Sequence, residues 1–328
     1  MTNKPPARHN RSPTWVAWGM SALNGMVGDY LHERQNGLAI ETAFYHQNRP
    51  LPLTKPAIQQ AHPQPTTRLC VLIHGLGCHE GIWDFPHPKD PQQTTSYGDL
   101  LHADQGYTPL FVRYNTGVSV AENGKRLALL LDDLSAVYPI SITEMVLIGH
   151  SMGGLVIRSA CHYATEQGLA WVQQVTRAFY LGTPHTGANL ERVANAATNI
   201  LRTVPNPVTA IITNVLHLRS RGIKDLHNGR LVEPMRADGR TQEQPVAWLP
   251  HIQHYLINGA LTNDPEHAIT VLFGDGLVNV PGSGGAGTSA QHRPIPAEHI
   301  RLFPRTNHFQ LAHDWAVYQQ IALWCTPV

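Results

Sequence analysis

The chain has 328 residues, 42% of them hydrophobic and 14% charged, with 24 Lys and Arg against 23 Asp and Glu for a formal net charge of +1. That composition supports a sizeable core in one large domain or two small ones and excludes a charge-rich disordered protein. So even a balance leaves no electrostatic footprint for nucleic acid or an acidic membrane, and no nucleic-acid partner is expected.

Residues 1–14 carry Lys4, Arg8, Arg11 and three prolines, with no apolar segment and small-residue cleavage site after them. No signal peptide is therefore expected, and the protein is read as cytoplasmic. The segment WVAWGMSALNGMVGDYL (15–31) is short and contains Asn24 and Asp29, so it does not suit a membrane span. Trp15, Trp18, Ala22, Met26 and Tyr30 recur at helical spacing, which predicts a helix packed on the domain, with peripheral membrane contact the lesser reading. LAIETAFY (38–45) and the Pro-rich stretch to Pro65 predict a short hairpin and a loop, so that 1–65 is an extension preceding a main domain over 66–328.

From residue 68 onward strands alternate with helices. RLCVLIHG (68–75) is a continuous apolar run ending in glycine, the mark of a buried parallel strand, and TPLFVRYN (108–115) reads as the next. Val120, Leu127, Leu131, Leu134 and Tyr138 fall on one face of a helix over 119–138. EMVLIGHS predicts a strand, MGGLVIRSACHYAT a helix, and VTRAFYLGTP (175–184) another strand. Further strands are expected at 268–276 and 299–304, and a closing helix at 308–324. Such alternation predicts an α/β fold, a mostly parallel sheet covered by helices on both faces. The stretch of about 187–250 is too long for a simple connection and reads as an inserted helical cap, whose apolar run VTAIITNVLHL (208–218) suits an acyl chain or packs on the domain.

Within that series, GHSMG (149–153) places Ser151 where a strand turns into a helix, and Gly149 and Gly153 leave room for so tight a corner. The hydroxyl then projects above the carboxyl edge of the sheet, with a helix N-terminus behind it to favour developing negative charge. A serine is a poor nucleophile until a base takes its proton. His308, after the last expected strand, is the chosen base, with His313 and His185 as alternatives; His299 starts the strand at the wrong edge. The carboxylate that orients the imidazole is assigned to Asp275 in FGDGLV, past a strand end, in preference to Asp264, which precedes that strand. Backbone N–H groups of Met152 and of Leu76, in HGLG (74–77), are expected to receive the oxyanion, and His74 is read as bracing that loop. The four cysteines form no CxxC pair and the 20 histidines no HExxH motif, so no disulfide framework, metal site or cofactor is expected.

LIHGLG followed by Trp83, GHSMGG, LGTPHTGANLERV, GDGLV and TNH resemble the α/β-hydrolase superfamily, in particular lipase-like and GPI inositol-deacylase-like (PGAP1-like) bacterial serine hydrolases, over roughly 66–325. The order Ser151, Asp275, His308 is the one this resemblance implies. It further implies hydrolysis of carboxylic esters, of lipid or other acyl type, through an acyl-enzyme on a small-molecule substrate. Thioesterase, amidase or acyltransferase activity on the same triad is the alternative, and a non-catalytic binding protein the remaining one. Calcium ligands of the true bacterial lipases are not identifiable, so calcium dependence is not implied.

Overall fold

Six parallel strands form the centre of the molecule. The computed structural model describes residues 14–185, 220–233, 235–237, 240–242, 246–260 and 295–326. The central strands are β3 (Arg68–Ile73), β6 (Thr108–Arg113), β7 (Glu144–His150), β8 (Val175–Leu181), β11 (Gln253–Ala260) and β12 (Ile300–Pro304). A hairpin of β1 (Ala43–His46) and β2 (Arg49–Pro50) adds to one edge, and the order across the sheet is β2-β1-β6-β3-β7-β8-β11-β12. β1 runs antiparallel to β6, while every neighbouring pair from β6 to β12 is parallel. Two small hairpins, β4 (Phe85–His87) with β5 (Asp90–Thr95) and β9 (Met235–Ala237) with β10 (Arg240–Gln242), stand apart from this sheet.

The chain leaves β3 toward β6, then crosses back over β3 to β7 and continues outward through β8, β11 and β12. The connections after β3 and β7 therefore diverge, and a crevice opens between the carboxyl ends of these neighbouring strands.

Alternation along the strands divides the core in two. Leu69, Val71 and Ile73 of β3 pack under α4 (Val120–Val137) and α5 (Met152–Glu166). Cys70 and Leu72, with Val146 and Ile148 of β7, face α3 (Tyr97–Gln105) and α7 (Trp315–Cys325). Burying one Leu, Ile or Val side chain contributes about 1.5–3 kcal/mol, so unbroken apolar strands demand cover on both faces. The helix starts are specified locally: Ser96, Ser119 and Asp314 accept N–H groups of the first turns of α3, α4 and α7. All four cysteines are buried and free.

Three sequence expectations are corrected. The Pro-rich stretch before Pro65 contains a helix, α2 (Lys55–Ala61), started by the Thr54 cap and a proline in its first turn, with Ile58 buried. The first helix, α1 (Thr14–Glu33), is kinked at Val27 and does not bury the expected face throughout, for Tyr30 is 53% exposed. Ala22 is buried, but Asn24, Gly25 and Gly28 make the closest approach: Asn24 bonds Met20 O, Leu38 O and Ile40 N, and Asn115 donates to Gly28 O. Small residues and a satisfied amide let backbones meet there, which apolar periodicity does not register. The third correction is β11 itself, a full member of the sheet whose His254 and Asn258 interrupt an apolar pattern. The strand expected at 268–276 lies outside the described residues, as do 187–219 of the expected cap. The described part of the stretch expected as a cap includes α6 (Arg221–Asn228), fastened to α1 by Ser220 Oγ on Gly25 O and by Arg221 N on Asp29. Among the described residues no helix is long and apolar enough to cross a membrane.

Burial holds several histidines neutral: His74 is pushed down to about 3, His62 and His254 to about 4, and His150 well below 6.5. The unfolded chain binds protons at these groups below 6.5 and the folded chain does not, so stability falls as pH drops from 6.5. Each such group contributes about 1.4 kcal/mol of loss per pH unit until its folded value is reached. Asp225, raised to about 6 by burial, acts in the opposite sense, and Glu80, lowered to about 2, loses its contribution only below 4.5. Thermal denaturation from pH 7.5 to 5 should show a midpoint that falls by several degrees, and a midpoint rising toward pH 5 would contradict this balance.

Candidate active site

The corner after β7 is set by close backbone crossings. Ser151 has φ 53° and ψ −123°, a left-handed conformation that costs a non-glycine residue on the order of 1–3 kcal/mol. A Cβ on Gly149 would stand 2.6 Å from Gly154 N, and one on Gly153 would stand 2.6 Å from His74 O, so side chains are excluded at both positions. The Ser151 N–H donates to Leu181 O at 2.8 Å, which pins the corner to the end of β8. Ser151 is 8% exposed.

The loop after β3 presses on this corner from the other side. A Cβ on Gly75 would lie 2.9 Å from Ser151 Cβ. Gly77 N donates to Thr116 Oγ1 at 3.0 Å, and Cys78 N to Gly75 O at 3.2 Å, which holds Leu76 at the head of a closed turn. His74 stacks on Tyr114 with ring centroids 4.5 Å apart, its Nδ1–H reaches Gly75 O, and Tyr114 OH donates to His74 O. His74 thus braces the turn. Met152 is the first residue of α5, so its N–H has no partner within the helix. Helix α6 crosses above it, for a Cβ on Gly222 would stand 3.1 Å from Met152 Cε.

His308 follows β12 in a turn opened by Arg305 at φ 57° and stabilised by Asn307 Oδ1, which accepts from Phe309 N and Gln310 N. Its ring lies over Gly182, where a Cβ would approach Nδ1 to 2.8 Å; Gly182 also has φ 61°. Ser151 and His308 therefore meet the carboxyl end of β8 at consecutive residues, Leu181 and Gly182. No hydrogen bond joins the Ser151 hydroxyl to the His308 ring among the described residues, and bonds of this type often tighten only around substrate. Burial pushes the His308 imidazole down to about 4.

The alternative histidines face elsewhere. His313 contacts Ile82 O, His185 lies between Arg158 and Trp248, and the His299 ring packs on Tyr255 at the amino side of β12. Asp275 and Asp264 both fall in 261–294, outside the described residues. The described strand before this segment is β11, which ends at Ala260. Sequence reasoning missed the bracing by Asn24 and Thr116, the seat at Gly182 and the bond from His150 to His308 O; only His150, inside GHSMG, carried a signal. Among the described residues no group of His, Cys, Asp and Glu is arranged to hold a metal ion.

Beside the strand order and the corner after the fifth strand of the sheet stands a family match: residues 115–213 match the PGAP1-like alpha/beta domain. The chain has the α/β-hydrolase fold. Similar solved structures include the mature lipase BlEst2 of Bacillus licheniformis, 16% identical over 80% of this chain and 94% of that one, with a TM-score of 0.45. The RedJ thioesterase of the prodiginine pathway in Streptomyces coelicolor is 14% identical over 80% and 86%, at 0.44. The naproxen esterase of Bacillus subtilis is 16% identical over 79% and 84%, at 0.39. No curated protein matches the sequence.

The corner makes a specific claim on two glycines. Gly153→Ala meets the carbonyl of His74 and should destabilise by about 1–3 kcal/mol with loss of activity. Gly19→Ala in α1, where nothing lies within 4 Å, should be neutral or stabilise by about 0.5–1 kcal/mol. Urea denaturation of the two variants distinguishes them, and equal effects would remove the steric account of the corner.

Proposed function

We propose that the protein is a serine hydrolase of carboxylic esters, with Ser151 as nucleophile, His308 as base and then acid, and Asp275 orienting the imidazole. The observation that carries this reading is the strained, left-handed Ser151 held at the same strand end as His308. The Ser151 oxygen attacks the ester carbonyl carbon while its proton passes to His308. The resulting oxyanion accepts from the N–H groups of Met152 and Leu76. As the tetrahedral intermediate collapses, His308 gives the proton to the departing alkoxide, leaving an acyl-serine. Water then attacks the acyl carbon with its proton taken by His308, and as this second tetrahedral intermediate collapses His308 returns the proton to the Ser151 oxygen and the acid leaves. The apolar stretch 208–218 supports an acyl or lipid ester as the substrate class.

A fluorophosphonate probe should label Ser151. A panel of p-nitrophenyl esters of increasing acyl length, with a thioester and an amide alongside, should show turnover of the esters above the other two. Ser151→Ala should fold and lose on the order of 10⁶ in turnover. Retention of more than a tenth of the activity removes Ser151 from the mechanism, preference for the thioester moves the reading to a thioesterase, and absence of labelling marks a binding protein.

The pH profile tests the other two residues. The base must be neutral, so kcat/KM rises with pH through the His308 ionisation, and burial places that rise below the ordinary 6.5. A carboxylate beside the ring favours the imidazolium and works against burial. Asp275→Asn should therefore lower kcat and also move the rise to lower pH, while Asp264→Asn changes neither. If the two substitutions exchange effects, Asp264 is the acid.

A further inference from the structure

β7 sends its even-numbered side chains to the face covered by α3 and α7, where Val146 and Ile148 are buried. His150 continues that row and is 1% exposed. The loop after β12 folds back over the end of β8, the neighbour of β7, where His308 lies over Gly182, and His150 Nε2 lies 2.9 Å from His308 O. A carbonyl only accepts, so Nε2 carries the proton and Nδ1 is bare. Nδ1 is buried without a hydrogen-bond partner and faces Gly75, whose Cβ would stand 3.1 Å from it. The His150 ring also packs on His308, with centroids 4.8 Å apart, and its centroid lies 6.3 Å from that of Phe309 and 6.4 Å from that of Trp83.

We propose that His150 is a positioning residue for the base: its Nε2–H holds the main-chain carbonyl of His308, so that the imidazole stays over Gly182 beside Ser151. The inference rests on the serine-hydrolase reading for its catalytic consequence, but the tether is a property of the fold. The loop it holds bears positive φ at Arg305 and no helix or strand from 305 to 309, so its internal turn alone leaves its distance from β7 free. A nucleophile and base misplaced by 1 Å lose about 10²-fold in rate. The residue beside the nucleophile thereby fixes the separation of nucleophile and base, because His150 and Ser151 share one backbone. The titratable groups facing His150 are His74 after β3 and His308 and His313 after β12, all held neutral by burial, so the tether stays uncharged at neutral pH.

Two substitutions separate the donor from the packing. His150→Phe keeps a ring and removes the N–H; His150→Gln removes the ring and retains an amide N–H at the same number of bonds from Cα. Turnover of a p-nitrophenyl ester and the titration of His308 by NMR, assigned against His308→Gln, are measured on the full chain. In His150→Phe kcat should fall about 10–100-fold with KM within about twofold, and the His308 titration should move up toward 6.5 as its loop opens to water. In His150→Gln kcat should stay within about threefold and the titration should not move. Unchanged kcat and titration in His150→Phe overturn the proposal. Equal losses in both variants, accompanied by equal falls in thermal midpoint, also overturn it by marking a packing role. If His150→Phe does not fold, a shifted titration in His150→Gln suffices against it. Failure of the fluorophosphonate to label the wild-type protein sinks the serine-hydrolase reading instead, while the His308 titration still decides the tether.

Discussion

Backbone packed against backbone at the end of β7 is the constraint on which the rest of the site depends. Gly149 and Gly153 let the Ser151 corner press on Gly154, Ile73 and His74, and the Ser151 N–H closes on Leu181 O. The three parallel strands β3, β7 and β8 must therefore end level, as the pairings of Ile73 with Gly149 and of His150 with Leu181 record. Strain of this size persists only where the surroundings over-determine it. Here they do so through buried strands on both sides and a helix that begins at the next residue.

Around that corner the bracing is polar but uncharged. His74 with Tyr114, Thr116 with Gly77, Asn24 with the segment 38–40 and His150 with His308 are hydrogen bonds that each engage a buried side chain. Ionised groups in this environment carry a large desolvation cost, which is why the histidines there are held neutral. The same burial that fixes their positions keeps imidazole lone pairs free of protons. The N-terminal helix shares in this: it closes over the loops after β3 and β6, with Gly25 against Gly77 and Gly28 against Asn115.

Much of this was legible in the chain. Continuous apolar runs marked β3, β6, β7 and β8 because a strand buried on both faces has no polar side to show. The amphipathic face of α4 was equally plain, with Val120, Leu127, Leu131, Leu134 and Tyr138 all buried. Where the pattern misled, the cause was local chemistry outranking hydrophobic period. α2 hid among prolines because its cap and first-turn proline define it better than its apolar content does. α1 buries glycine and asparagine in place of its lower aromatic residue. β11 was missed because His254 bonds Tyr180 OH and Leu249 O, so a polar residue sits within the sheet without penalty.

The sequence alone determined the alternation of strands and helices, the tight corner at Ser151 and the glycines that permit it, since these depend on neighbours within a few residues. The order of elements favoured His308, and only the tertiary structure decided which histidine is seated at the strand end that holds Ser151. His308, His313, His185 and His299 are chemically equivalent in the sequence, and what separates them is which strand end each loop descends upon. His308 alone of the four comes down on Gly182, and it does so because β12 is the strand beyond β11 and because His150 reaches across from β7 to hold its carbonyl. Contacts made across 158 residues of chain leave no trace in local composition, because the energy that selects them is set by the packing of the whole sheet.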